Sequence, residues 1–467
     1  MVCAAMLCGC APAFVNQPKN DLRLPLAQRV INSNSRTESF VRAAPLAATS
    51  DRPLRASDGD DALARARAGT TGPEVDDADG YFVGLAISGG GSRSANFAAA
   101  CMFQLERLGM LQKVDCISAV SGGTLAATYY CSATPDEWNT KNVQEKLSHA
   151  FATDSIDKVL LPWNLIGLML GRLTRTDLLA DVFADDLFSR DQHRLTFADL
   201  RQDRPRLLLN STDLQSGRRF IFDNSTFDLL NSDLNKYPLA YAVSASSAVP
   251  GVILPVTIRD FSTTFPQYFH LMDGGVVDNL GVQSLVESYE AQIQKPKNPY
   301  PHGAILIVID AGTQASNNIS SEPILGGIEN LIAGINLSST LLVNRASSAT
   351  LSETIIMHAL GSYTAEDLRN FIEKLQTDHY VEMRDSKHNL VRVIHLSLSQ
   401  VGELSNGQFG AEVNGIDTNF NIGQDEAYEL YKSAEILFSQ RFDARVEPLV
   451  AEMNRAISAA TQLATYP

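Results

Sequence analysis

The pattern of apolar and polar positions changes at residue 81. Residues 11–80 hold scattered Pro, Asn, Arg and Asp with no sustained apolar period, which predicts a tether or a loosely packed arm. Tyr81–Ser88 (YFVGLAIS) is then a short apolar run followed by three glycines, as expected of a buried strand feeding a turn. Ala95–Leu111 carries apolar residues at 97, 101, 105 and 108, a helical spacing. Asp115–Val120 reads as a second buried strand, and Thr124–Tyr130, beyond Gly122 and Gly123, as a second helix. Strand–turn–helix thus occurs twice in about 50 residues, which predicts an α/β protein with a largely parallel sheet. Residues 206–213, 304–310 and 391–398 are further strand candidates, and 325–343 and 425–464 are helical stretches. No internal repeat interrupts this order.

At 467 residues the chain can form one large domain with additions, or two domains. Its 45% hydrophobic and 19% charged residues fit an ordinary globular protein. A net charge of −15 argues against nucleic acid and anionic headgroups as partners. Any membrane contact must then be hydrophobic, zwitterionic or carried by a lipid anchor. No 18-residue apolar run predicts a membrane span. The apolar segment 159–171 (VLLPWNLIGLMLG) is too short for one; it suits a buried helix or pocket wall, or a flap that dips into lipid. Cys101, Cys116 and Cys131 sit in apolar surroundings and read as small core residues. Neither they nor Cys3, Cys8 and Cys10 have zinc-site spacing, and no metal is expected. Leu7-Cys8-Gly9-Cys10 resembles a bacterial lipobox with Cys10 as the lipidated residue, although a basic n-region and a long apolar h-region are missing. Two readings of the start stand: an envelope lipoprotein whose true start lies upstream, or an unstructured cytoplasmic N-terminus.

Three local groups carry candidate chemistry. Gly89-Gly90-Gly91-Ser92-Arg93 lies at a predicted strand-to-helix junction, where main-chain N–H groups and a helix N-terminus can hold a phosphate or an oxyanion. A plain structural turn is equally in keeping with it. The Lys of a nucleotide P-loop is absent, and no acid closes the next strand as a dinucleotide site would want. Ala119-Val120-Ser121-Gly122-Gly123 places a serine on a tight strand-to-helix turn, the form of a nucleophile elbow. Ala119 stands where the Gly-x-Ser-x-Gly pattern has its first glycine, and a helix N-cap is the rival reading of Ser121. Asp273-Gly274-Gly275 can present an Asp from a loop to a partner across a cleft, or be an ordinary Asp-Gly turn.

In this order the three groups resemble the patatin-like phospholipase family. Leu209-Asn210-Ser211-Thr212-Asp213 with Gly217-Arg218-Arg219-Phe220, then Ala245–Gly251 and Leu254-Pro255-Val256, extend the likeness across residues 81–315, about half of the chain. Ser94, where the family usually has glycine, is a departure besides Ala119. The resemblance implies a three-layer α/β hydrolase with a largely parallel central sheet flanked by helices. It divides the chain into a lead-in (1–80), a catalytic domain (81–315) and a mostly helical C-terminal extension (316–467). It implies a Ser121–Asp273 dyad, with Asp273 taking the serine proton directly, an oxyanion loop from Gly89 to Arg93, and no cofactor. None of the eight histidines lies in a triad motif; His270, three residues before Asp273, is the alternative base. Arg93 either meets a lipid phosphate or braces its loop through a salt bridge. The implied activity is phospholipase A-like cleavage of lipid acyl esters. A lipase, thioesterase or acyltransferase with the same dyad, or a silent lipid-binding protein, are the alternatives. The oligomeric state is not readable.

Overall fold

A sheet covered on both faces favours strands that are largely apolar, as Tyr81–Ile87 (YFVGLAI) and Gly303–Asp310 (GAILIVID) are. The computed structural model describes residues 15–19, 79–152, 175–250, 253–263, 265–312, 365–385, 387–405, 407–416 and 422–464. The lipobox-like stretch 7–10, the apolar segment 159–171 and the helix expected at 325–343 lie outside the described residues.

The principal elements are β1 (Tyr81–Ile87), α1 (Gly91–Arg107), β2 (Cys116–Val120), α2 (Gly123–Ser132), α3 (Thr140–Ala152), α4 (Arg175–Asp186), β3 (Arg206–Asp213), β4 (Arg218–Phe222), α5 (Leu239–Ser246), β5 (Val256–Asp260), β6 (Gln267–Asp273), α6 (Gly275–Asp278), α7 (Val282–Ile293), β7 (Gly303–Asp310), α8 (Ala365–Thr377), β8 (Tyr380–Arg384), β9 (Leu390–Ser397), α9 (Gln424–Leu437) and α10 (Asp443–Ala464). Among the described residues, nine strands form one sheet in the order β8-β9-β7-β1-β2-β3-β6-β5, with β4 also on β3. The run β9-β7-β1-β2-β3 is parallel, and β4, β5, β6 and β8 join antiparallel.

Side chains alternate across each strand, so two cores form. Tyr81, Val83, Leu85 and Ile87 face one layer with Ile305, Ile307 and Ile309, packed against α1, α2, α5, α9 and α10. Phe82 and Ala86 face the other with Ala304, Leu306 and Val308, under α7 and α8. The result is an α/β/α sandwich. Cys101, Cys116 and Cys131 are buried free thiols within it, and burial pushes the Cys101 thiol well up.

The five parallel strands are the five that the apolar pattern predicts. The four others went unmarked because they are short or partly exposed and carry polar residues between apolar ones, as in Gln267–Asp273 (QYFHLMD) and Tyr380–Arg384 (YVEMR). Asp273, expected on a loop, is instead the last residue of β6. Helix α1 begins at Gly91 rather than Ala95, so Gly91, Ser92 and Arg93 form its first turn. Residue 315 does not coincide with the edge of the sheet: β9 runs parallel to β7 from Val391 opposite Ala304 to Ser397 opposite Asp310. Among the described residues, no helix is long and apolar enough to cross a membrane.

Candidate active site

Strand β2 ends at Val120, and the chain turns straight into α2. Ser121 makes that turn with φ of 48°, a left-handed conformation that costs a non-glycine residue energy and so requires support from its surroundings. Its carbonyl accepts the Thr124 N–H at 2.9 Å, which starts the helix. The next position cannot carry a side chain: a Cβ on Gly122 would lie 1.9 Å from the Gly91 carbonyl oxygen. Elbow and glycine loop are therefore in backbone contact. Ala119, in place of the usual glycine, lies wholly inside the core, paired with Ile87 and Leu209.

The sheet brings a distant carboxylate to this turn. β4 occupies one edge of β3 from Leu209 to Asp213. On the other edge β2 pairs as far as Val120 opposite Asn210, and β6, arriving antiparallel, pairs from Asp273 opposite Ser211. The C-terminal ends of β2 and β6 thus meet head-on. Ser121 Oγ donates to Asp273 Oδ2 at 2.7 Å, and the Gly275 N–H donates to Oδ1 at 2.8 Å. Both residues are buried, 6% and 4% exposed. Burial raises the Asp273 carboxyl to about 6, while the Gly275 N–H and the Ser121 hydroxyl pull it partly back.

The glycine loop closes over the same point. A Cβ on Gly89 would stand 3.1 Å from the Ser121 Cβ. The Gly89 N–H itself donates to the Asn279 carbonyl at 2.9 Å. Gly90 takes φ of 138° as the residue before α1, so the positive ends of α1 and α2 both abut the elbow. Ser92 is fully buried in the first turn of α1. The Arg93 side chain goes elsewhere: its Nη1 donates to the Ile416 carbonyl at 2.7 Å. Against the cost of burial, His395 at 3.3 Å holds Asp310 below the usual carboxylate range, and the Arg93 charge adds a smaller pull in the same direction.

Beyond the sequence-derived set, buried polar residues build the floor. Asn210 Nδ2 donates to Ser118 Oγ at 2.9 Å and to the Ala119 carbonyl at 3.0 Å, Ser284 Oγ donates to Asn210 Oδ1, and Ser118 Oγ donates to the Gly281 carbonyl at 2.6 Å. Asp278, also buried, accepts the Leu280, Gly281 and Gln283 amides at 3.2, 3.0 and 2.9 Å and so fixes the turn that carries Asn279. The available signal was a polar residue inside an apolar strand, Asn210 in RLLLNSTD and Ser118 in CISAV, since such groups are buried only with partners. His270 is not part of the constellation. Its Nδ1 lies 3.0 Å from Thr257 Oγ1, and in β6 it alternates with Asp273 onto the opposite face. Among the described residues, no group of three or more His, Cys, Asp or Glu could hold a metal ion.

The fold and this constellation define an α/β protein built around a serine on a strained strand-to-helix turn. Residues 85–286 match the family model Patatin-like phospholipase. Among solved structures it is similar to human GIVD cytosolic phospholipase A2 (12% identity, TM-score 0.46, covering 96% of this chain and 67% of that one). It is also similar to VipD from Legionella pneumophila (13% identity, TM-score 0.27, covering 82% and 74%). No curated protein compared with it matches.

Proposed function

We propose that the protein cleaves acyl esters of lipids in two steps with Ser121 as nucleophile and Asp273 as base. The observation that supports this reading is the buried 2.7 Å hydrogen bond from Ser121 Oγ to Asp273 Oδ2 beside the glycine loop. Ser121 Oγ attacks the ester carbonyl carbon while its proton passes to Asp273. The carbonyl oxygen becomes an oxyanion next to the start of α1, where the main-chain N–H groups from Gly90 to Arg93 are the candidate donors; the Gly89 N–H is engaged by Asn279. Collapse expels the alcohol, which takes the proton from Asp273. Water then gives a proton to Asp273 and attacks the acyl-serine, and collapse releases the acid and returns the proton to Ser121. A carboxylate with a pKa of about 6 is basic enough to take part yet ionised at neutral pH.

A fluorophosphonate probe tests the nucleophile: wild type should be labelled and Ser121→Ala should not. Labelling that persists in Ser121→Ala sinks the assignment. Product analysis on phospholipids, neutral lipids and acyl thioesters, with and without an acceptor alcohol, separates phospholipase from lipase, thioesterase and acyltransferase.

A further inference from the structure

We propose that Ser246 is a positioning residue whose hydroxyl holds the Ser121 elbow in register with Asp273, an inference that rests on the dyad reading above. Ser246 is the last residue of α5 and is fully buried. Its Oγ accepts the Ser121 N–H at 2.9 Å and donates its one proton to the Asn210 carbonyl. A hydroxyl whose proton is committed presents its lone pairs in a defined direction, so the Ser121 amide has one place to point.

The same short segment holds the base. The Ser246 carbonyl accepts the Gly274 N–H at 3.3 Å, and the Ala248 carbonyl accepts the Asp273 N–H at 2.9 Å. Residues 246–248 therefore grip the nucleophile through one side chain and the base loop through two main-chain oxygens. Asn210, the hydroxyl's acceptor, pairs with Val120 immediately before the elbow, which closes the link through β3.

The three contacts differ in kind, and that makes the proposal testable. Ser246→Ala removes only the hydroxyl and leaves both main-chain contacts to the base. The Ser121 amide, held at φ of 48°, then lacks its acceptor in a buried site, and the elbow can relax away from Asp273. Ser244 supplies a matched control. It lies on the same helix, equally buried, and its hydroxyl has no partner among the described residues.

The experiment compares wild type, Ser246→Ala and Ser244→Ala by fluorophosphonate labelling rate, by kcat and KM on a soluble short-chain ester, by thermal unfolding and by crystal structure. The expected result is a roughly 10- to 100-fold fall in both labelling rate and kcat for Ser246→Ala, with KM within about twofold, since a misplacement of about 1 Å costs that much. Ser244→Ala should match wild type. A Ser246→Ala enzyme that is labelled at the wild-type rate, or loses activity only as its folded fraction falls, overturns the proposal. If wild type is not labelled, the dyad reading fails separately; the variant's crystal structure then decides the positioning claim, an unchanged Ser121–Asp273 contact overturning it and a broken one supporting it.

Discussion

Val120 and Asp273 lie end to end on one edge of β3, Val120 opposite Asn210 and Asp273 opposite Ser211. A parallel strand and an antiparallel strand share that edge, so the residue leaving one and the residue ending the other come together. This explains how Ser121 and Asp273, 152 positions apart, are joined by a hydrogen bond.

On the proposed dyad, the carboxyl of Asp273, raised to about 6 by burial, should set the acid limb of activity. Log kcat/KM should be flat above that pH and fall by about one unit per pH unit below it, as the base takes up its proton before the substrate arrives. A flat profile down to pH 4.5 in a folded enzyme argues against Asp273 as the base.

The same shift has a consequence for stability, of opposite sign to an ordinary ion-paired carboxylate. The folded value lies above the 3.8 of an ordinary Asp carboxyl, so the fold favours the protonated form. The penalty is absent below about pH 4 and complete above about pH 6. Asp273→Asn, neutral throughout, should exceed wild type in unfolding free energy by roughly 3 kcal/mol at pH 8 while losing activity. The gap should close toward pH 4 in denaturant titrations, and a gap that is the same at both pH values would contradict the assignment.

Gly122→Ala should be severe. The new methyl would stand 1.9 Å from the Gly91 carbonyl oxygen, which is backbone and cannot swing aside. Elbow and loop must separate, at a cost of about 3 kcal/mol or more, and labelling of Ser121 should be lost. Thermal unfolding with a fluorophosphonate assay checks both effects.

Arg93 braces the start of α1 against the C-terminal part of the chain through the Ile416 carbonyl. Arg93→Ala should lower stability by about 2 kcal/mol, the usual worth of a hydrogen bond to a charged group, and Arg93→Lys by less. KM should change alike for phospholipids and neutral esters. A selective rise in KM for phospholipids would instead assign Arg93 to the headgroup.

His270→Ala should keep activity within about twofold, because its ring meets Thr257 on the face of β6 opposite Asp273. Steady-state kinetics on a soluble ester suffices; a loss of 100-fold would return His270 to the role of base.

The parallel strands, the elbow and the glycine loop were legible because each is a local pattern. The central buried strands are largely apolar runs, and the glycines beside the sharp turns mark them locally. The antiparallel strands β5 and β6 were not, because their partial exposure dilutes the apolar signal. For the same reason Asp273 read as a loop residue. Ser246 carried no signal of its own, since nothing local distinguishes it from Ser244 and Ser247 on either side.

By its own order of residues the chain determined an α/β sandwich with a serine on a tight turn, a glycine cradle and a distant Asp-Gly-Gly. Only the tertiary structure decided which acid meets the serine, which serine of α5 supports it and where Arg93 points. Those outcomes depend on strand register and on which faces pack together, and both are set by contacts between segments far apart in the chain.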